Sequence, residues 1–259
     1  MRFFSIYLAS LLLLVSVGGH AKEAVAEASV TDKASVSIRN SLKSIDPAIP
    51  IESVTETPMK GVFEVVLSGN NVLYASADGQ YLFQGDLLKL ENGEINNLTN
   101  GVRAKANKAE LGRLSKKNMI VFSPTGEVQG VIYVFTDVDC GYCRKLHTEV
   151  GELNSLGIEL RYVAFPRGGQ RSPAYKKMVS AWCSDDPRQA MNILKSGGSI
   201  PDKSCINPVD EQYELGVKMG IRGTPAIYLE DGTSIPGYRP AKDIASMMGL
   251  LPEQAVTKK

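Results

Sequence analysis

Residues 131–143 read VIYVFTDVDCGYC, an apolar strand-like run followed by two cysteines at the start of a helical pattern. Cys140 and Cys143 therefore lie at a predicted strand-to-helix turn. A helix N-terminus carries unpaired N–H groups and about half a positive charge, both of which stabilise a thiolate. Two intervening residues let Cys143 reach Cys140 and release a substrate bound there through a mixed disulfide. Zinc sites also use C-x-x-C spacing, but this position favours redox chemistry.

The first residues of the chain have the pattern of a cleaved signal peptide. Arg2 precedes an apolar stretch over residues 3–17, and Gly19, His20 and Ala21 include the small residues that a signal peptidase requires. The apolar stretch is shorter than the roughly 20 residues of a membrane-spanning helix, which disfavours the alternative of a retained anchor. We expect cleavage after Ala21 and export of the mature chain.

The charge balance of the mature chain is close to neutral. Loss of Arg2 lowers the basic residues from 29 to 28, against 28 acidic residues. This balance gives no reason to expect binding to nucleic acid or to a charged membrane surface.

The four cysteines of an exported chain predict two disulfides, for which three connectivities exist. Cys140 and Cys143 pair naturally with each other, which leaves Cys183 and Cys205 for a structural disulfide. The alternative is two buried free thiols, which oxidising compartments rarely contain.

The N-terminal part, residues 22–97, combines one helix with a small antiparallel sheet. Apolar residues recur at helical spacing over residues 31–45, and the pattern then changes to strand-like alternation over residues 63–83, with turns at Gly69 and Asp78. Such a sheet has exposed edges that a second copy could cover. We expect a dimerisation domain; the alternative is a ligand-binding module.

Residues 98–117 are rich in Asn, Lys and Ala, and predict a mostly solvated linker helix; an ordinary surface helix is the alternative. Residues 118–259 alternate strands with helices and end in a hairpin and a helix, which is the thioredoxin pattern. The chain is therefore expected to be α+β with two domains. Strands are predicted at residues 128–135, 158–164, 226–230 and 233–236, and helices at 142–156, 174–182, 187–194, 208–219 and 240–250.

Several short motifs stand out, at residues 135–137, 140–143, 145–147, 164–167, 182–183, 223–226 and 236–238. In order, and over the whole mature chain, they resemble those of the DsbC/DsbG family of periplasmic disulfide isomerases. The resemblance implies a cystatin-like dimerisation domain, a thioredoxin-like catalytic domain with a helical insertion, and a homodimer. It also implies isomerisation of misfolded disulfide-bonded proteins, with reducing equivalents from a membrane reductant of the DsbD type.

The residues around the dithiol have distinct expected roles. Cys140 is expected to be the exposed nucleophile and Cys143 the buried resolving thiol. Gly141 would keep the approach to Cys140 open, and Tyr142 would offer a flat apolar surface to an unfolded substrate. The resemblance places Thr224 and Pro225 in a loop beside the dithiol, where the family has a cis proline and the Thr224 backbone can pair with an extended substrate.

Charges near the dithiol leave the acidity of Cys140 open. Arg144 and Lys145 favour a thiolate, whereas Asp137 and Asp139 oppose it. Val134 occupies the position where many thioredoxins carry a buried acid, so proton transfer from Cys143 needs another route.

No cofactor beyond the redox-active pair and no metal is expected. His147 follows Cys143 by one helical turn, but a tetrahedral zinc site would need a fourth ligand from Asp or water. Three functions stay open: a disulfide isomerase, a DsbG-like reductase or oxidase, and a non-catalytic holding chaperone.

Overall fold

The computed structural model describes the backbone of residues 19–251 and the side chains of residues 31–251. The predicted signal peptide, residues 1–21, lies outside these residues except for its last positions, which belong to the first helix. Within the described residues, no helix has the length and apolar character needed to cross a membrane.

Two compact units make up the chain. The first contains the described residues up to Ile49, together with Val54–Glu64 and Tyr74–Phe83. The second contains Pro50–Ser53, Val65–Leu73 and the described residues from Gln84 onward. The units interleave along the N-terminal region, and the domain boundaries at residues 21, 97 and 117 stay predictions.

Helix α1 spans Gly19–Ile45 and begins earlier than the predicted residue 31. Its Ala34, Ile38 and Leu42 recur at every fourth residue and are buried. This spacing puts all three on one face of the helix, which explains why all three are buried.

The N-terminal sheet contains four strands whose spatial order follows their order in the chain. Short turns join these strands and permit only antiparallel pairing, as the alternation predicted. The first strand was missed, because none of its residues is fully buried and its alternation is weak. The strands are β1 (Ile51–Glu56), β2 (Val62–Leu67), β3 (Asn71–Ser76) and β4 (Leu82–Gln84).

The predicted turn at Asp78 lies against helix α1. Gly79 has φ +71°, and a Cβ there would meet Ser41 Oγ at 2.8 Å and Ile38 Cα at 3.1 Å. The Ser37 hydroxyl donates to the Asp78 carbonyl oxygen at 2.7 Å. Glycine is thus required both by the backbone conformation and by the close approach of the helix.

A hairpin and a helix follow in the second unit: β5 (Leu88–Glu91), β6 (Glu94–Asn97) and α2 (Leu98–Leu111). The hairpin was not predicted. Helix α2 ends at Leu111 rather than at residue 117, and Leu111 is buried in a cluster with Phe135 and Val163. Of the 14 residues of α2, only Thr99, Asn107 and Leu111 are buried, so most of the helix stays at least partly accessible to solvent.

The central sheet of the second unit has the order β11-β10-β8-β9-β7. Strands β8 and β9 pair in parallel, whereas β10 pairs antiparallel with β8 and β7 pairs antiparallel with β9. Six of the seven residues in each of β8 and β9 are buried, as expected for strands covered on both faces. The strands are β7 (Ile120–Phe122), β8 (Gly130–Thr136), β9 (Ile158–Ala164), β10 (Ala226–Leu229) and β11 (Ser234–Ile235).

The helices of this unit confirm the predicted α/β alternation with one correction. The helix predicted over residues 142–156 is divided at Glu149, whose carboxylate accepts from the Ala241 N–H at 2.7 Å and from the Tyr238 hydroxyl. The helices are α3 (Gly141–Thr148), α4 (Val150–Ser155), α5 (Pro173–Trp182), α6 (Pro187–Lys195), α7 (Val209–Lys218) and α8 (Ala241–Met247), with 3₁₀ turns at Lys116–Asn118 and Gly169–Arg171.

A disulfide joins Cys183 to Cys205, as predicted. Cys183 caps the C-terminus of α5, and Cys205 lies in the loop before α7. The bond therefore ties the helical insertion to the chain that leads to α7.

Candidate active site

The two remaining cysteines lie at the junction of β8 and α3. Residues Asp137, Val138 and Asp139 leave the strand, and Cys140 is the N-terminal cap residue of α3. Cys140 has extended dihedrals, φ −81° and ψ 120°, and its carbonyl accepts from the Arg144 N–H at 3.0 Å. The predicted strand-to-helix turn thus places the Cys140 thiol where the helix has free N–H groups.

The prediction that Cys140 is exposed is wrong. Only 3% of the residue is accessible to solvent. Its thiol donates a hydrogen bond to the Thr224 carbonyl oxygen at 3.1 Å, so it packs against the loop that precedes β10. This hydrogen bond belongs to the protonated thiol, because a thiolate has no proton to donate.

The pKa values of the two thiols shift in opposite directions. The pKa of Cys140 is lowered to about 5, chiefly by a hydrogen bond from the Cys143 thiol. The pKa of Cys143 is raised, because the side chain is fully buried and its proton is held in that same bond. Cys140 is therefore the thiolate and Cys143 the thiol of the reduced pair.

The carboxylates that were expected to oppose a thiolate are both paired. Asp137 is buried and accepts from the Arg167 N–H at 2.9 Å and from Arg167 Nε at 3.2 Å. Asp139 is paired with Lys177 at 2.8 Å and with Arg144 at 3.3 Å. These cations offset the negative charge beside the dithiol, and Arg167 also contributes to the low pKa of Cys140.

The Thr224–Pro225 peptide bond is cis. The carbonyl oxygen of Thr224 is the acceptor of the hydrogen bond from Cys140 Sγ. Within the described residues, the Thr224 hydroxyl is buried without a hydrogen-bond partner. The loop thus places a second polar group of the same residue near the sulfurs.

An open cleft beside this loop is lined by aromatic side chains. Tyr142 is 65% exposed and stacks on Tyr238 with ring centroids 6.2 Å apart. The Lys145 ammonium lies 4.5 Å from the centroid of the Tyr238 ring. A Cβ added at Gly141 would meet nothing within 4 Å, so the approach is open at that residue. Pro225, Pro236, Gly237 and Arg239 complete the cleft.

Both ring nitrogens of His147 contact other polar side chains. Its Nδ1 lies 2.9 Å from the Tyr162 hydroxyl and its Nε2 lies 2.9 Å from Asn192 Oδ1. Burial lowers the pKa of His147 to about 4. The described residues contain no group of three or more metal-ligating side chains.

Two charged residues at the site received no role from the sequence. Arg167 occurs in one of the family motifs, but only the fold brings it to Asp137. Lys195 was overlooked, although it follows Met191 by one turn on the buried face of α6. A lysine on an otherwise apolar helix face is the signal that could have found it.

The chain is similar to known proteins over most of its length. Residues 115–251 match the family described as thioredoxin-like domain, and residues 20–100 match the disulfide bond isomerase protein N-terminal domain. The thiol:disulfide interchange protein DsbC of Dickeya dadantii is 40% identical over 75% of this chain and 79% of that protein. DsbC of Escherichia coli K12 is 38% identical over 77% of this chain and 82% of that protein.

A solved disulfide interchange protein from Neisseria gonorrhoeae is 25% identical to this chain. Its superposition has a TM-score of 0.47 and covers 52% of this chain and 96% of that one.

Proposed function

Because this chain belongs to the DsbC family of thiol:disulfide interchange proteins, which are disulfide isomerases, we propose that Cys140 and Cys143 are its catalytic pair. One observation carries the assignment: a cysteine of lowered pKa caps α3, and a fully buried thiol of raised pKa lies next to it. This asymmetry is what attack followed by resolution requires.

The reaction begins with attack of the Cys140 thiolate on a non-native substrate disulfide. A bond forms between Cys140 Sγ and one substrate sulfur, and the other substrate sulfur leaves as a thiolate. When a substrate thiolate later attacks the mixed disulfide, Cys140 is released and the substrate keeps the same number of disulfides. This route is isomerisation, and it consumes no electrons.

Resolution by Cys143 gives a different product. Its sulfur bonds to Cys140, the bond between Cys140 and the substrate breaks, and the substrate leaves with two electrons as a dithiol. The Cys140–Cys143 disulfide must then be reduced before another cycle. A membrane thiol reductant of the DsbD type is the proposed donor.

The cleft beside the dithiol is the proposed contact for unfolded substrate. Tyr142 and Tyr238 offer a flat apolar surface, and Thr224 offers backbone groups next to the reacting sulfur. Recognition of backbone and general apolar surface suits a protein whose substrates are misfolded proteins of many sequences.

The proposal also includes a homodimer and a periplasmic location. A homodimer through the N-terminal domain is supported by exposed apolar residues in this region, of which Leu90 is 77% and Ile95 is 69% exposed. The apolar stretch after Arg2 supports export to the periplasm with removal of residues 1–21. The near-neutral charge of the predicted mature chain gives no reason to propose a nucleic-acid partner.

The decisive experiment is refolding of a scrambled multi-disulfide substrate by the reduced full chain without added oxidant. We expect recovery of native activity, because isomerisation needs a free Cys140 thiolate. Cys143→Ser should accumulate long-lived mixed disulfides through Cys140, since resolution is lost. Cys140→Ala should recover no activity while any holding of unfolded protein survives.

Other outcomes identify the other functions. Oxidation of reduced substrate without recovery of scrambled substrate would identify an oxidase. Reduction alone would identify a DsbG-like reductase, and suppressed aggregation that survives in Cys140→Ala, without any exchange, would identify a holding chaperone. Mixed disulfides that form through Cys143 instead of Cys140 would reverse the roles of the pair.

A further inference from the structure

Lys195 is a buried lysine next to the dithiol and has no role in the exchange steps above. It is the last residue of α6, and only 3% of it is exposed. In the described part of the chain, no carboxylate lies within ion-pairing distance of its ammonium. Burial of an unpaired ammonium costs free energy, so a buried lysine calls for a compensating negative field.

The ammonium is held at the end of the strand that leads to Cys140. Lys195 Nζ donates to Thr136 Oγ1 at 2.6 Å and to the Asp137 carbonyl oxygen at 3.0 Å. The same carbonyl oxygen accepts from the Cys140 N–H at 3.2 Å. One backbone oxygen thus connects the ammonium to the residue that caps α3.

The surroundings of Lys195 are mixed in charge. Its pKa is lowered to about 8, chiefly by burial and to a lesser extent by Arg144, while Cys143, Asp137 and Cys140 act in the opposite direction. The Tyr162 ring centroid lies 5.4 Å from Nζ. The titratable and charged groups that face it are Asp137 after β8, Cys140, Cys143, Arg144 and His147 at or on α3, and Tyr162 on β9.

The apolar residue Val134 is the reason to look for another group that assists the resolving step. Its side chain is apolar and fully buried, so this position supplies no carboxylate that could accept the proton of Cys143. In the proposed step the thiol proton of Cys143 leaves to solvent, and a negative charge develops on a buried sulfur. A nearby fixed cation lowers the free energy of that charge.

We propose that Lys195 is the positioning residue that supplies the positive charge for the resolving step of Cys143. The inference rests on the proposed roles of the two cysteines. Cys143 loses its proton to water, and its electron pair forms the bond to Cys140 Sγ. The bond between Cys140 and the substrate breaks, and the substrate sulfur takes the electron pair and then a proton from water. Lys195 keeps its protons and stabilises the thiolate in between.

The test uses Lys195→Met, which removes the charge and keeps an unbranched chain, in the full-length protein. Lys176→Met removes the same charge from an exposed position on α5 and is the matched control. The probe is 5,5′-dithiobis(2-nitrobenzoate) added to the reduced protein. Attack by Cys140 releases one coloured thiolate, and resolution by Cys143 releases the second.

We expect the second phase to slow in Lys195→Met and not in Lys176→Met. Each unit by which the pKa of Cys143 rises lowers its thiolate fraction tenfold. Nucleophilicity rises by about threefold over the same unit, so the net rate falls by about threefold. The first phase should change less, because a hydrogen bond from Cys143 dominates the acidity of Cys140.

A second measurement needs no variant and separates an electrostatic role from a purely structural one. The ¹³Cε resonance of Lys195 in the wild-type chain should titrate at a higher pH in the reduced protein than in the oxidised protein. The reason is that only the reduced protein has a thiolate near the ammonium. This measurement keeps the proposal falsifiable if Lys195→Met does not fold, because equal midpoints would show that the ammonium and the dithiol are not electrostatically coupled.

Two results would overturn the proposal: an unchanged second phase in folded Lys195→Met, or the same Lys195 titration midpoint in both redox states. Failure of the proposed function has a different signature. In that case Cys143→Ser would trap no mixed disulfide at all, whatever the behaviour of Lys195.

Discussion

At the scale of single residues, acidity rather than exposure makes Cys140 the nucleophile. The residue is almost fully buried, yet its thiolate receives a hydrogen bond from Cys143 and lies at the positive end of α3. Burial alone would raise its pKa, so these interactions outweigh desolvation. The reactive thiolate therefore forms before a substrate arrives, and its formation removes the hydrogen bond that the protonated thiol donates to the Thr224 carbonyl oxygen.

The first prediction concerns the pH dependence of alkylation. Because the pKa of Cys140 is lowered to about 5, its reaction with iodoacetamide in the reduced chain should rise through pH 5 and be nearly constant above pH 7. A free cysteine instead continues to gain reactivity through about pH 8.5. Mass spectrometry of the labelled peptide measures the rate at each pH.

Cys140→Ser is the control for this experiment. It should leave little labelling at neutral pH, because the remaining Cys143 thiol is fully buried and its pKa is raised. A midpoint near 8.5 for Cys140, or faster labelling of Cys143, would contradict the assigned acidity.

At the scale of secondary-structure elements, the disulfide secures the helical insertion. Cys183 and Cys205 are separated by 22 positions, and the bond fixes the C-terminal cap of α5 to the loop before α7. In the chain-entropy account, closing a loop of this length stabilises the folded state by about 3 kcal/mol. The same insertion supplies α6 and with it Lys195.

The second prediction is that Cys183→Ser/Cys205→Ser lowers the free energy of unfolding by about 3 kcal/mol. For a chain of this size the melting temperature should fall on the order of 10 °C. Alkylation of Cys140 should keep its pH profile, because neither residue contacts the dithiol. Thermal unfolding by circular dichroism measures the change, and an unchanged melting temperature would show that the bond contributes no stability.

At the scale of the whole molecule, large apolar side chains stay exposed in the N-terminal region. Leu90 and Ile95 are cross-strand partners on the β5–β6 hairpin, so their side chains share one face. Exposed clusters of this kind mark interaction surfaces in soluble proteins. Leu88, two residues before Leu90 on β5, is exposed on the same face.

The third prediction tests whether this surface joins two copies. Leu90→Lys/Ile95→Lys in the full chain should weaken the dimer by about 100-fold or more, because it removes about 3 kcal/mol or more of apolar burial and adds like charges. Light scattering after size-exclusion chromatography measures the mass. The resulting monomer should retain Cys140 alkylation but isomerise scrambled substrate poorly.

Ile206→Lys is the matched control, because Ile206 is fully exposed but lies outside this surface. It should leave both mass and isomerisation unchanged. A dimer of unaltered affinity in the double variant would remove the hairpin from the interface.

The sequence alone determined those features that depend on neighbours along the chain. Alternation and helical spacing gave the order of most strands and helices, and C-x-x-C after an apolar run placed Cys140 at the start of α3. The pairing of Cys183 with Cys205 was predicted from the presence of four cysteines in the chain. Weak alternation hid β1, and the hairpin β5–β6 was missed because its residues are mostly exposed and lack a buried face.

Only the tertiary structure decided the burial of Cys140 and the pairing of charges around it. Arg167 reaches Asp137 across 30 positions, and Lys195 reaches Thr136 across 59. Thr224 covers the thiol from 84 positions away. Acidity depends on distance and desolvation in three dimensions, and a sequence lists charges without their separations. The order of the secondary-structure elements could therefore be predicted from the sequence, whereas the pKa values of the two thiols could be derived only from the tertiary structure.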